Sequence, residues 1–199
     1  MTNPVTEYYD RNPELEWNRL FVSPYRRLEY EVVRYFMDRY LPPQGTILDA
    51  GGGPGRYAIA LAKMGYRLTL VDLSEANIRF AKKKIAATGM TKQFDACLVA
   101  DACEMPSLQN ASFDAVLCMG PLYHLQKFDD RIRCLRECSR VMKTGSPLFI
   151  TVLPRLTYLR DALRSGTFPS LIPHGLEALD DIYARGYFHR SQVPQTYYC

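Results

Sequence analysis

Aspartates and a glycine-rich bend are the residues of this sequence whose types and spacing point to chemistry. The run Ile47-Leu48-Asp49-Ala50-Gly51-Gly52-Gly53-Pro54-Gly55 places a carboxylate directly before a stretch that is almost free of side chains. Glycine lets the backbone approach a ligand closely, and the first N–H groups of a following helix can point at that ligand. The bend lacks the Gly-Lys-Ser/Thr ending of a P-loop, so hydrolysis of nucleoside triphosphates is disfavoured. It is predicted to hold a nucleoside cofactor.

Two further carboxylates follow later apolar runs of the chain. Asp72 ends one such run, and Asp101 comes directly after another. Ligands of open α/β sheets bind beyond the carboxyl ends of the strands, where an acidic side chain about 20 positions after the glycine turn binds the ribose hydroxyls. We therefore expect Asp49, Asp72 and Asp101 to converge on one crevice.

The elements that must position these residues alternate short β-type runs with helical patterns. This alternation is typical of a parallel sheet with helices on both faces. We predict an α/β fold, a Rossmann-like three-layer α/β/α sandwich whose mostly parallel sheet has about five strands. The predicted strands are Thr46 to Ala50, Arg67 to Asp72, Ala96 to Ala100, Asp114 to Met119 and Pro147 to Leu153.

Helices are predicted between these strands from periodicity, caps and glycine stops. They are Tyr25 to Leu41, Tyr57 to Met64, Ser74 to Thr88 and Asp129 to Met142. In the first helix, one side is predicted to pack inward, with Leu28, Val32, Val33, Phe36, Met37 and Tyr40. After residue 153 we predict two short helical pieces, Leu156 to Arg164 and Leu176 to Tyr183, and no further strand.

Composition limits the classes of protein to which the chain can belong. A length of 199 residues fits one domain, and a net charge of +4 that is spread over several helices does not predict nucleic-acid binding. No apolar run is long enough to span a membrane, and the N-terminus lacks the pattern of a secretory leader, so a cytoplasmic location is predicted. Cys134 and Cys138 lie four apart on a predicted helix without a second ligand pair, and no metal is assigned.

As a set, the motifs resemble those of class I S-adenosylmethionine-dependent methyltransferases. Asp49-x-Gly51-x-Gly53-x-Gly55 is similar to the first motif of that family, and Asp72 and Asp101-Ala102 are similar to its ribose and adenine ligands. The runs Gly120 to Leu125 and Arg136 to Lys143 resemble the ubiquinone/menaquinone-biosynthesis-like branch, which acts on small molecules. The resemblance covers about residues 25 to 153.

This resemblance implies S-adenosylmethionine as the cofactor and direct transfer of its methyl group to a small-molecule acceptor. The expected cofactor-binding residues are Asp49, Gly51, Gly53, Gly55, Asp72, Leu73, Asp101, Ala102, Met119 and Gly120. Residues 1–199 are expected to form one domain, with a cap segment at 1–24, a cofactor-binding core at 25–153 and an incomplete substrate-side insert at 154–199. The family has two more strands than this sequence supplies, so we expect either a C-terminally truncated form or an exposed sheet edge that a second copy or another partner covers.

Aromatic residues near the expected methyl side are candidates for handling the acceptor. His124, with Tyr123 beside it, is the predicted catalytic pair, because an imidazole titrates near neutral pH and can deprotonate a hydroxyl or an acidic carbon. Tyr8, Tyr9 and Trp17 could close over the positively charged sulfur on the substrate side. Each of these rings could equally be a packing residue of the core.

Two other functions remain open from the sequence alone. Gly53-x-Gly55-x-x-Ala58 with Asp72 downstream also fits a loose dinucleotide fingerprint, which would make the chain an NAD(P)-dependent oxidoreductase. Asp49 and Asp101 argue against that reading, because carboxylates near a pyrophosphate are unfavourable. The other alternative is a methyltransferase-like fold that binds a cofactor or partner without catalysing transfer.

Overall fold

A five-stranded parallel sheet organises the chain. The computed structural model describes residues 4–154, 156–164, 166, 182–188 and 196–197. The strands are β1 Thr46–Ala50, β2 Arg67–Asp72, β3 Phe94–Val99, β4 Ala115–Cys118 and β5 Leu148–Ile150, in the order β3-β2-β1-β4-β5. All four neighbouring pairs are parallel, with β1 in the centre. The predicted α/β class and the predicted five parallel strands are confirmed.

Helices cover both faces of this sheet. They are α1 Pro4–Arg11, α2 Pro13–Asn18, α3 Pro24–Tyr40, α4 Arg56–Ala62, α5 Glu75–Ala87, α6 Phe128–Val141 and α7 Leu156–Arg164. Successive residues of β1 enter different cores: Ile47 packs with side chains of α3, α4 and α5, whereas Leu48 packs with side chains of α6. This alternation follows from the period of two in a strand, and it produces the predicted three layers.

Local signals set the ends of the helices as the sequence indicates. The Ser74 hydroxyl accepts a hydrogen bond from Asn77 N at 3.0 Å and caps α5. Ser23 caps α3 in the same way, with Pro24 in the first turn. Gly65 and Gly89, which follow α4 and α5, have φ angles of +98° and +72°, and both conformations favour glycine.

The inward face predicted for α3 is largely wrong. Met37 is fully buried and Val33 packs against the core, but Leu28, Phe36 and Tyr40 are 59%, 46% and 56% exposed. The helix touches the sheet along a narrow stripe, so most of its apolar residues remain outside that contact. Helical periodicity identified the helix correctly, but it could not show how wide the contact with the sheet is.

The C-terminal part differs from the prediction in one respect. The helix predicted at Leu156 to Arg164 is confirmed as α7, whereas the piece predicted at Leu176 to Tyr183 lies mostly outside the described residues. The absence of any strand after residue 153 was wrongly predicted, because β6 Tyr187–Phe188 and β7 Thr196–Tyr197 form a small antiparallel pair of their own. Strands of two residues are too short for an alternating pattern to show in a sequence.

Within the part of the chain that the structure describes, no helix is both long and apolar enough to cross a membrane.

Candidate functional site

A crevice opens at the carboxyl edge of the sheet, where β1, β2 and β3 end. Its wall contains most of the predicted cofactor residues: Asp49, Gly51, Gly53, Asp72, Leu73, Asp101, Ala102, Met119 and Gly120. Tyr9, Tyr123 and His124 of the predicted acceptor side line it as well. The parallel arrangement of the strands brings these residues together, since every strand delivers its last residue to the same edge.

Asp49 is the most unusual carboxylate of the crevice. It is 2% exposed, and its Oδ2 atom has no hydrogen-bond partner. Burial, together with the nearby Asp72 carboxylate, raises the pKa of Asp49 to about 7. A buried acceptor without a donor is costly in a folded protein, so this atom is well suited to receive a donor from a ligand.

Gly52 makes this arrangement of Asp49 possible. A Cβ atom on Gly52 would lie 2.4 Å from Cγ of Asp49 and 2.5 Å from Cδ1 of Leu70. Any side chain at this position would therefore displace the carboxylate. The sequence motif contains the glycines on either side of Gly52 and indicates no role for Gly52 itself, because its contact with Asp49 depends on how the bend folds back on β1.

The glycine bend also contacts the segment that follows β4. Gly51 has a φ angle of +70°, and a Cβ atom there would lie 2.4 Å from Cγ of Pro121. A Cβ atom on Gly120 would lie 2.9 Å from the Gly51 carbonyl oxygen. The glycine bend thus packs directly against the Pro121 ring and the Gly120 backbone, a close approach that only glycine at positions 51 and 120 allows.

Asp72 holds the bend and the start of α5 together. Its Oδ2 accepts a hydrogen bond from Gly53 N at 2.7 Å, and its Oδ1 accepts from Ser74 N at 2.9 Å and from Asn77 Nδ2 at 3.2 Å. Burial raises the pKa of Asp72, although these three donors oppose the shift. The carboxylate is therefore fixed in orientation where it faces the crevice.

Asp101 closes the crevice at the end of β3. Its Oδ1 accepts a hydrogen bond from Cys103 N at 2.8 Å, which turns the chain immediately after the strand. Asp101 is exposed, whereas Ala102 beside it is 7% exposed and packs into the core. The pair thus offers an acceptor next to a small apolar surface.

Three predicted site residues lie outside the wall of the crevice. Gly55 is the N-cap of α4 with a φ of +79°, which favours glycine, and a Cβ atom there would contact Leu70 and Ala81 at 3.3 and 3.5 Å, so backbone conformation and packing both explain this glycine. Tyr8 packs edge-on against Tyr9, with ring centroids 5.2 Å apart. The Trp17 ring lies beside Phe80, and Cζ of Arg56 lies 3.6 Å from the centroid of the Trp17 ring.

Helix α1 covers the crevice and is attached on both sides. Asp10 Oδ1 accepts hydrogen bonds from Ser74 Oγ at 2.6 Å and from Ala76 N at 3.1 Å, at the start of α5. On the other side, Tyr9 Oη and His124 Nε2 are 2.9 Å apart, which joins α1 to the segment after β4. The sequence indicated a covering segment here without indicating its helices.

Several polar residues of the crevice were missed by the sequence analysis. The wall also includes Glu16, Arg19, Arg56, Tyr57 and Asn77. Asn77 lies in the first turn of α5, and its Oδ1 atom is buried without a hydrogen-bond partner. The spacing of Asn77 after the helix cap Ser74 could have predicted that it lies in this turn. Glu16 and Arg19 carry no such signal, because they come from a segment that matches no motif.

A group of buried thiols lies beneath this edge of the sheet. Cys118 on β4 and Cys134 and Cys138 on α6 are all fully buried, and their three sulfur atoms lie within 4.8 Å of one another. The sulfur atoms of Cys118 and Cys134 are 3.7 Å apart, and all three thiols are free. Thiolate sulfurs can bind soft metal ions. The absence of a metal therefore stays a prediction.

Comparison with known proteins gives a consistent result. Residues 48–150 match the family described as "Methyltransferase domain". A ubiquinone biosynthesis O-methyltransferase from Xanthomonas axonopodis pv. citri is 29% identical over 133 residues, which are 67% of this chain and 53% of that protein. The chain thus spans about half the length of the curated relatives that it matches.

Solved structures share the fold. A protein from Methanococcus maripaludis has a TM-score of 0.63 at 16% identity, with 99% of this chain and 93% of that chain covered. A SAM-dependent methyltransferase from Methanosarcina mazei has a TM-score of 0.61 at 23% identity, with coverage of 82% and 74%.

Proposed function

Because the chain belongs to the methyltransferase domain family, we propose that its crevice binds S-adenosylmethionine and that the protein methylates a small molecule. The family match over residues 48–150 confirms the resemblance that the sequence motifs indicate. The observation that carries the proposal is the buried, unpartnered Oδ2 of Asp49 beside a bend without side chains. A nucleoside that bears a cationic amino-acid group suits both features.

The residues of the crevice fit the parts of this cofactor. Asp49 would accept from the ammonium at the amino-acid end of the cofactor, which supplies the donor that its Oδ2 atom lacks. Asp72, fixed by three donors, would accept from the ribose hydroxyls, with Leu73 beside it. Asp101 and Ala102 would hold the adenine, and the Met119 and Gly120 backbone would line the amino-acid end.

Catalysis would require little covalent chemistry from the protein. When bound, S-adenosylmethionine supplies a methyl group on a positively charged sulfur, which reacts by direct displacement. The protein must orient the acceptor, exclude water and remove a proton where the acceptor carries one. His124 would take that proton on its imidazole, whose Nε2 contacts the Tyr9 hydroxyl, while α1 shields the crevice from solvent.

The acceptor class that we propose is a small molecule with a hydroxyl group. The support is the imidazole of His124 at the crevice wall, because a hydroxyl must lose its proton on methylation. The curated relatives named above are O-methyltransferases of ubiquinone biosynthesis, which is consistent with a hydroxyl acceptor. An NAD(P)-dependent oxidoreductase is disfavoured, since Asp49 and Asp101 would face the pyrophosphate of a dinucleotide.

Calorimetric titration with S-adenosylhomocysteine and with NAD+ tests the cofactor. We expect binding of the first ligand alone, weakened about 10- to 100-fold in Asp72→Asn, because that variant loses a charged acceptor. Asp95→Asn is the matched control, since Asp95 pairs with Arg67 on the outside of the sheet. Binding of NAD+ in place of S-adenosylhomocysteine would overturn the proposal.

Transfer of a labelled methyl group to a panel of phenols and catechols tests the reaction. Methylation that requires Asp72 supports the proposal. Tight cofactor binding without transfer to any member of a wide acceptor panel would instead favour a binding protein with a methyltransferase-like fold.

We also propose that the protein is cytoplasmic and that a second copy or another partner covers the edge strand β5. Measurement of the size of the protein in solution tests the proposed copy or partner.

A further inference from the structure

Sulfur atoms are concentrated in one part of the protein core. Four of the six cysteines of the chain, Cys103, Cys118, Cys134 and Cys138, belong to the core cluster between the sheet and α6. The last three are fully buried. Cys118 comes from β4, whereas Cys134 and Cys138 come from α6, so the folded chain brings two elements together at these thiols. A free cysteine packs like any small apolar residue, so packing alone does not require this concentration of sulfur.

The spacing of three of these sulfur atoms fits a single metal ion between them. At the bond length of about 2.3 Å that zinc makes to thiolates, an ion in the plane of three sulfurs separates them by about 4 Å. The sulfurs of Cys118 and Cys134 are 3.7 Å apart, and no pair that includes Cys138 exceeds 4.8 Å. Cys134 and Cys138 are four positions apart on α6, which places both on one face of the helix. All three sulfurs can therefore reach one ion with small shifts.

The surroundings of the three thiols favour an ion that needs only a few sulfur ligands. Most of the other members of this core cluster are apolar, among them Val116, Leu122 and Val141. In the part of the chain that the structure describes, no further His, Cys, Asp or Glu atom joins the three sulfurs at this spacing. Structural zinc takes four ligands, and calcium and magnesium take oxygen ligands. Cu(I) selects soft sulfur ligands and forms stable complexes with three of them.

We propose that Cys118, Cys134 and Cys138 form a binding site for one Cu(I) ion, which their three sulfur atoms coordinate. Each thiol that binds as a thiolate releases its proton to solvent, and neither copper nor sulfur changes its oxidation state. The site is separate from the proposed methyl transfer, because these three residues lie in the core and not on the crevice wall. It departs from the expectation of no metal, which considered Cys134 and Cys138 alone, since the fold adds Cys118 as a third ligand.

Bound Cu(I) would link β4 to α6 beside the crevice. Cys118 is the last residue of β4, and Met119 and Gly120 directly after it line the crevice wall. A ligand that binds the folded state more tightly than the unfolded chain raises the free energy of unfolding. We therefore expect the copper-loaded protein to have a higher Tm than the copper-free protein.

Retention of copper by the full chain tests this site. The reduced protein is refolded from urea without oxygen, with Cu(I) supplied as its bicinchoninate complex, so that the ion can enter before the core closes. We expect one copper ion per chain in the wild-type protein and in Cys97→Ala, the control, because Cys97 lies on β3 and packs in the other core cluster. Competition with bicinchoninate should show binding at least about tenfold weaker in Cys118→Ala and in Cys138→Ala, since each variant loses one of three ligands. Circular dichroism shows whether each refolded variant has its fold.

The X-ray absorption spectrum of the copper-loaded wild-type protein identifies the ligands without any substitution. We expect three sulfur neighbours and no nitrogen or oxygen neighbour. A wild-type protein that retains no copper against bicinchoninate, or one whose copper has nitrogen or oxygen ligands, overturns the proposed site. Copper affinity equal to that of the wild-type protein in folded Cys118→Ala and Cys138→Ala also overturns it. Refolding with Zn(II) tests the choice of ion, and tighter retention of Zn(II) than of Cu(I) would overturn the assignment to Cu(I).

Discussion

Protonation distinguishes the ring residues that meet at the acceptor side of the crevice. Burial raises the pKa of Tyr123 to about 12 and the pKa of Tyr9 well above its usual value, so both phenols keep their protons at neutral pH. Tyr9 Oη lies 2.9 Å from His124 Nε2, and the neutral phenol can accept from that nitrogen once the imidazole is protonated. Of these three side chains, the imidazole is the one that can accept a proton from an acceptor molecule.

Replacing His124 by glutamine should therefore affect turnover without affecting cofactor binding. We expect His124→Gln to lose about 10²- to 10⁴-fold in kcat, the usual contribution of a general base, while the Kd for S-adenosylhomocysteine stays the same. Tyr9→Phe keeps the ring and removes only the hydroxyl, so its loss in kcat should be smaller. Single-turnover transfer of a labelled methyl group measures the first quantity and calorimetry the second. Full turnover in His124→Gln would dismiss the role.

Residues at the carboxyl end of a strand could be predicted from the sequence, and residues placed by tertiary contacts could not. Asp49 and Asp72 were identified because their distance from a β-type run fixes them at the sheet edge. Glu16 and Arg19 belong to a segment that tertiary contacts hold at the crevice, among them the hydrogen bond from Arg56 to the Trp17 carbonyl. No local pattern encodes that contact, which joins residues distant in the sequence.

At the level of elements, α1 depends on few contacts for its position over the crevice. It has eight residues and none of them is fully buried, so packing alone provides little free energy to hold it. Two of its attachments are Asp10 at the start of α5 and Tyr9 at His124. Asp10 is also a negative charge at the positive end of α5, which strengthens this attachment.

Loss of the Asp10 carboxylate should detach α1 on the α5 side. Removal of a capping acceptor costs about 1 kcal/mol, so amide hydrogen exchange in residues 4–11 of Asp10→Ala should accelerate about fivefold. Asp10→Asn keeps an acceptor oxygen and should exchange at nearly the wild-type rate. Mass spectrometry of the exchanged peptides gives both rates. Equal protection in wild type and Asp10→Ala would mean that α1 is held by something other than Asp10.

The sequence predicted elements better than it predicted their surroundings. Five strands and the helices from α3 to α6 follow from periodicity and caps, both of which are local properties. The environment of α3 was misjudged, because Phe36 and Met37 are equally apolar and adjacent while only Met37 meets the sheet. The pair β6 and β7 escaped prediction because two residues carry no detectable period.

For the molecule as a whole, gathering carboxylates at one sheet edge has a cost in stability. Asp49 is buried near Asp72, and its pKa is raised from 3.8 to about 7. Between these two values the folded state holds a proton that the unfolded chain has released. The folded state therefore binds more protons in this interval, and the free energy of unfolding decreases as the pH rises from about 4 to about 7.

The predicted decrease in the free energy of unfolding with rising pH can be checked in the protein without ligand. A shift of one pKa unit corresponds to about 1.4 kcal/mol, so Asp49 should lower the free energy of unfolding by about 4 kcal/mol between pH 4 and pH 7. Asp49→Asn removes this titration, and its free energy of unfolding should thus rise relative to the wild-type protein across the same interval. Urea unfolding of both proteins at several pH values measures the difference, in which titrations common to both proteins largely cancel. Parallel curves would show that Asp49 has the same pKa in the folded and unfolded states, and that its carboxylate is already compensated without a cationic ligand.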